Sequence, residues 1–179
     1  MKVLAFAASN SRNSINQQLA QHAASLIPGA QVETLDINDY EMPIFSEDRE
    51  KELGQPQLAQ DFYNKLGQAD AIIIGFAEHN GHYSAAFKNL FDWTSRVERG
   101  LYQNKPLVFL ATSPGPGGAK TVLSAAVASA PHFAGNVTAS LSVPSFYDNF
   151  DTDTGTLRNE ELAQQLQAAV ATLPVPVVA

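Results

Sequence analysis

Val3-Leu4-Ala5-Phe6-Ala7-Ala8 runs straight into Ser9-Asn10-Ser11-Arg12-Asn13-Ser14, and the reading of this junction decides the fold. A short, unbroken apolar run fits a strand buried on both faces, the condition of a parallel strand covered by helices on either side. The polar stretch after it ends in Ser14, a favoured N-cap. Residues 14–26 then place Leu19, Ala20, Ala23, Ala24 and Leu26 on a broad apolar stripe at helical spacing. The opening unit is therefore strand, hydroxyl-rich turn, helix.

Outward from that unit the alternation repeats. Residues 32–35, 71–75, 107–111 and 137–143 read as strands, and 84–97, 120–130 and 159–173 as helices. Strands alternating with helices of this length predict βαβ units and a parallel sheet, hence the α/β class, in a single domain spanning 1–179. Residues 40–56, with Pro43, Gly54 and the acids Glu41, Glu47, Asp48, Glu50 and Glu52, read as a long surface flap. The proline-interrupted stretch 174–179 is expected to be an extended tail. Open sheets of this kind take ligands outside the carboxyl ends of their strands, so the loops after the first, third and fourth strands carry the interest.

Composition narrows the function classes. With 45% hydrophobic and 16% charged residues the chain can bury a sizeable core. Its 18 acidic against 11 basic residues give a net charge of −7, which opposes binding to nucleic acid or to an anionic membrane surface. An anionic ligand must then be held by local geometry. The absence of cysteine removes disulfides, thiolate metal sites and cysteine nucleophiles, and fits a cytoplasmic location. The first apolar run is shorter than the roughly 7–15 residues of an export signal, and no run approaches the ~18–20 of a membrane span.

The loop 9–14 opens a helix, whose N-terminus leaves backbone N–H groups unpaired and favours an anion. Ser9, Ser11, Ser14 and Asn16 offer side-chain donors there and Arg12 a cation. No G-x-G-x-x-G follows the first strand. The stretch from Gly115 to Thr121 misses a P-loop because Ala119 stands where glycine is required. In the loop 112–118, glycines admit close approach of a flat ring. Glu78, His79 and His82 lack the further clustered ligand a metal centre needs, and no G-x-S-x-G elbow supports a hydrolase around His132.

Glu78-His79-Asn80, Ser84, Lys88-Asn89 and Asp92-Trp93 resemble the NADPH-dependent FMN reductase family, whose pattern is Pro-Glu-Tyr-Asn, a short turn, then a helix carrying Lys-Asn and Asp-Trp. The first loop is similar to the family's phosphate motif through Ser9, Ser14 and Asn16, and the flap through Glu41-Met42-Pro43, Asp48 and Gly54-Gln55-Pro56. Ala77 and His79 replace the family's Pro and Tyr, and its Arg falls at Ser11, with Arg12 one place late.

This resemblance implies a flavodoxin-like three-layer sandwich with a five-stranded parallel sheet of order 2-1-3-4-5 and helices on both faces. It implies FMN held at its phosphate by Ser9, Ser11, Arg12, Ser14, Ile15 and Asn16, with Ala77, Glu78, His79, Asn80 and Gly81 beside the ring and Ser113, Gly117 and Gly118 bordering it. Hydride would pass from NAD(P)H through FMN to a small acceptor such as a quinone, free flavin, azo compound or metal oxyanion, with no catalytic acid or base from the protein. The alternative of a different class is a flavodoxin-like electron carrier served by a protein partner. A homodimer or homotetramer is expected as well. Phe87, Phe91, Trp93 and Val97 occupy more of the circumference of helix 84–97 than one core face needs.

Overall fold

The computed structural model describes residues 1–174. In chain order the elements are β1 (Lys2–Ala8), α1 (Ile15–Ser25), β2 (Gln31–Leu35), α2 (Glu47–Leu53), α3 (Gln57–Gln68), β3 (Ala71–Phe76), α4 (Ala85–Val97), β4 (Pro106–Thr112), α5 (Lys120–Ser129) and β5 (Asn136–Val143). They are followed by α6 (Phe146–Asn149), β6 (Phe150–Asp151), β7 (Thr156–Leu157) and α7 (Glu160–Val170). The five long strands form one parallel sheet of order β2-β1-β3-β4-β5. This is the flavodoxin-like order that the resemblance implied.

Strand periodicity divides the core in two. Leu4 and Phe6 of β1, Ile72 and Ile74 of β3, and Leu107 and Phe109 of β4 pack against α3, α4 and α5. Their alternates Val3, Ala5, Ile73, Val108 and Leu110 pack against α1 and α7. Because both faces of the central strands are covered, β1 and β3 show no polar alternation, which is why they read as continuous apolar runs.

Two segments depart from the sequence expectations. The flap carries a helix, α2, with Ser46 as its N-cap, accepting from the N–H of Arg49, and with Glu47, Asp48 and Glu50 in its first turn. None of its residues is buried, so no apolar stripe announced it. The stretch after β5 is also structured: Phe146 and Phe150 stack at 4.6 Å between ring centroids and anchor α6 and the β6–β7 hairpin on the α1 side. The tail expected at 174–179 lies, from residue 175 on, outside the described residues.

Candidate functional site

At the carboxyl ends of β1, β3 and β4 the three loops converge on one cleft of about 260 Å³. It is lined by Ser9, Ser11, Ser14, Ile15 and Asn16 from the first loop, Ala77, Glu78 and His79 from the second, and Ser113 from the third. Nine of the fourteen expected site residues are thus brought together. Arg12, Asn80, Gly81, Gly117 and Gly118 do not line the cleft. Asn13, Thr112, Pro114 and Tyr147 line it without having been anticipated. Tyr147 comes from α6, after β5, and is 61% exposed beside the buried Phe146.

The serines of the first loop keep donors to spend. Ser14 caps α1, its Oγ accepting from the Gln17 N–H at 3.2 Å, and Ser9 Oγ accepts from the Ser11 N–H at 3.2 Å. A hydroxyl that accepts still has its own O–H to donate, so both can serve a ligand as well as the backbone. Ile15 and Asn16 open α1, and first-turn N–H groups have no intrahelical acceptor. Asn16 is different in its side chain. Its Nδ2 donates to the Thr112 carbonyl at 3.1 Å and its Oδ1 accepts from the Thr112 N–H at 2.9 Å, in a buried contact 96 residues apart in sequence. The Asn16 amide therefore holds α1 to the end of β4. Gly75 permits this seat: a Cβ there would run into the Asn16 backbone.

The second loop is a two-residue hairpin. His79 and His82 exchange backbone hydrogen bonds at 2.9 and 3.1 Å, and Asn80 and Gly81 both take positive φ, 52° and 80°, as a type I′ turn requires. Asn80 and Gly81 thus form the turn and do not line the cleft. Behind it, Ser84 caps α4 and donates to the Ala8 carbonyl at 2.9 Å, fixing the hairpin to the end of β1. Burial pushes the Tyr83 hydroxyl above its usual pKa, opposed in part by its contact with Ser129. Glu78, half-buried, accepts the Val122 N–H of α5 through Oε2 at 2.9 Å.

The third loop folds back on the β5 side. Gly115 O accepts from the Ser145 N–H at 2.9 Å, Ser113 O from the Phe146 N–H at 3.0 Å, and Gly118 O from Ser142 Oγ at 2.6 Å. Gly118, with φ of 60°, is pressed against Ser142 and Pro144, so its lack of a side chain serves that packing.

The family model for NADPH-dependent FMN reductases matches residues 1–148, taking in all three loops and Tyr147. The chain belongs to this family. An NADPH:quinone oxidoreductase of Arabidopsis thaliana is 30% identical over 125 residues, covering 68% of this chain and 62% of the relative. An NAD(P)H-dependent FMN reductase of Pseudomonas aeruginosa is 32% identical over 116 residues, covering 64% and 61%. The chain thus spans about three fifths of the length of these relatives. Among solved structures, the flavoenzyme NAD(P)H:(acceptor) oxidoreductase FerB of Paracoccus denitrificans shares the fold at a TM-score of 0.73, with 23% identity and 96% and 94% of the two chains covered.

Family membership gives the remaining motif residues a context and the structure gives them a task. Asn89 Oδ1 accepts from the Phe45 N–H at 2.8 Å, and Asn89 Nδ2 donates to Met42 O and Pro43 O at 2.9 and 3.2 Å. Trp93 Nε1 donates to Pro43 O at 2.7 Å while Phe45 stands edge-on to its ring. Lys88 pairs with Asp92 one turn on, at 2.7 Å. The α4 signature is, in this chain, a clamp on the flap.

Proposed function

We propose that this protein is an FMN-dependent NAD(P)H oxidoreductase acting on a small acceptor. One observation carries the reading: the N-terminus of α1, the Ala77–His79 wall and the 112–114 turn meet in a single cleft, in a chain of the FMN reductase family. The donor set fits FMN. Two hydroxyls with free O–H groups and the opening N–H groups of an eleven-residue helix suit a phosphate, in a protein whose net charge of −7 would otherwise repel one. Ala77, Glu78 and His79 of the second loop and Ser113 and Pro114 of the third flank the cleft, where a flat ring would lie between them.

Bound there, FMN supplies a two-electron carrier that takes hydride from NAD(P)H and passes it to a quinone, free flavin, azo compound or metal oxyanion. The protein's share is orientation. Ser9, Ser14 and the α1 terminus hold the anionic end, Ser113 lies across the cleft, and His79 stands at the mouth. No side chain is assigned a proton transfer. Nothing in the cleft recommends a metal ion, and no group of three or more His, Cys, Asp or Glu side chains forms one elsewhere among the described residues. A homodimer or homotetramer working in the cytoplasm belongs to the same proposal. No described helix is long and apolar enough to cross a membrane.

An absorbance spectrum of the purified protein, with and without NAD(P)H under nitrogen, tests the reading. A yellow protein bleached by NAD(P)H and recoloured by a quinone is the expected result. A yellow protein that NAD(P)H leaves unchanged would instead be the electron carrier, and a colourless one that FMN cannot reconstitute would end the proposal.

A further inference from the structure

Like α3 and α6, helix α5 has no capping side chain from its own N-cap residue. α1, α2, α4 and α7 each carry a capping side chain at their own N-cap, from Ser14, Ser46, Ser84 and Asn159. α5 begins instead on Ala119, in the left-handed region with φ of 55°, and has neither a capping side chain nor an acidic residue in its first turn. A helix N-terminus left so would expose unpaired donors and an uncompensated partial positive charge. The missing partner comes from 44 residues earlier, where Glu78 Oε2 accepts the Val122 N–H at 2.9 Å. Val122 is the third residue of α5, the position an N-cap side chain normally serves.

Resting on the FMN reading, we propose that Glu78 is a positioning residue that sets the spacing between the two loops flanking the flavin ring. Its backbone belongs to the wall 77–79 and its carboxylate grips the helix into which the loop 112–118 runs. On the other side that loop is held to β5 and α6 through Gly115, Ser113 and Gly118. The Glu78 contact is therefore the brace on the β3 side, joining two cleft walls that no strand pairing connects beyond Phe76 and Ala111. It also places a protein anion on the N-terminus of α5, which leaves α1 as the helix end open to the ligand's phosphate. A residue that lines the cleft thus also ties its two walls together.

The test uses E78A, which removes the acceptor, and E78Q, which keeps a carbonyl oxygen at the same reach. Two readouts are taken: hydrogen exchange of the Val122 amide in ligand-free protein, and the FMN dissociation constant from flavin fluorescence quenching, with visible circular dichroism of the bound flavin. E78A is expected to speed Val122 exchange and weaken FMN by about tenfold or more each, with an altered dichroic band, while E78Q stays within about threefold of wild type. Unchanged Val122 exchange in E78A would overturn the brace. Faster exchange with unaltered FMN affinity and dichroism would overturn its role in spacing. Wild type that shows the Glu78-dependent protection yet binds no FMN would take down this inference through the flavin reading, with the cap itself intact. If E78A does not fold, E78D, which shortens the reach by one methylene, is read in the same two ways.

Discussion

Asn16 shows how a site residue changes meaning once its neighbours are known. From its place in the phosphate-like motif it reads as a donor to the ligand, yet both ends of its amide are spent on Thr112. Asn16→Ala would strand a buried N–H and a buried carbonyl at the end of β4, at about 1–3 kcal/mol each. Chemical denaturation should therefore show a loss of about 2–6 kcal/mol, present in ligand-free protein. A loss under 0.5 kcal/mol, on the order of an ordinary surface change, would refute the assignment. Tyr147 is the converse case. Nothing in its sequence context marks it, because the cleft receives it from the segment after β5, yet it is exposed and lines the cleft. Aromatic contacts of this kind are worth roughly 0.5–1.5 kcal/mol beyond area. Tyr147→Ser should then weaken FMN about three- to tenfold in a fluorescence titration, with Tyr147→Phe close to wild type. Equal affinities across the three proteins would remove the ring from the site.

The flap and α4 act as one element pair. Arg96 and Glu50 pair at 2.9 Å between α4 and α2, but solvent around the exposed guanidinium screens the pair, so it contributes little. The buried Trp93 and the three hydrogen bonds of Asn89 carry more of the attachment. Asn89→Ala should free the flap, seen as a red shift of the single tryptophan's emission and faster proteolysis within 43–54. An unchanged spectrum and cleavage rate would show that Trp93 holds the flap alone. α1 is coupled to the β6–β7 hairpin through His22, whose Nε2 accepts the Leu157 N–H at 3.4 Å and whose ring stands edge-on to Phe150. Burial holds the His22 pKa below its usual 6.5, so the unfolded chain takes up this proton more readily than the folded one. The stabilisation is complete above about pH 6.5 and is lost as pH falls through that value toward the folded pKa. Denaturation midpoints should drop between about pH 8 and about pH 5 by more in wild type than in His22→Gln, which cannot titrate. Parallel declines would place the pH dependence elsewhere.

For the whole molecule, the surplus of aromatic residues on α4 finds its partners inside the chain. Phe87, Phe91 and Trp93 are all buried, the last under Phe45 of the flap. The sequence argument for an interface along α4 therefore loses its basis, because a periodicity count cannot see that an unpatterned flap will fold over the second face. Ile44 and Leu53, 73% and 52% exposed, leave apolar surface on that flap. If the proposed homodimer or homotetramer forms, light scattering should give a multiple of 19.2 kDa, and I44E/L53E should shift it downward. A wild-type mass of 19.2 kDa at micromolar concentration would remove assembly from the proposal.

The sequence by itself determined the alternation of strands and helices and the edge at which a ligand belongs. Burial of both faces forces unbroken apolar strands, capping forces Ser or Asn at most helix starts, and both marks are local in the chain. The Asn80-Gly81 turn was not legible in this way: both residues were expected beside the ring, and the structure makes them a hairpin turn at positive φ between the paired His79 and His82. What only the tertiary structure decided is which polar groups remain free for a ligand. Asn16 is spent on Thr112, Glu78 on Val122 and Asn89 on the flap, over separations of 96, 44 and 44–47 residues. A motif fixes the identity and spacing of donors along the chain. Whether a donor is already satisfied depends on what packs against it, and that is settled when distant segments meet.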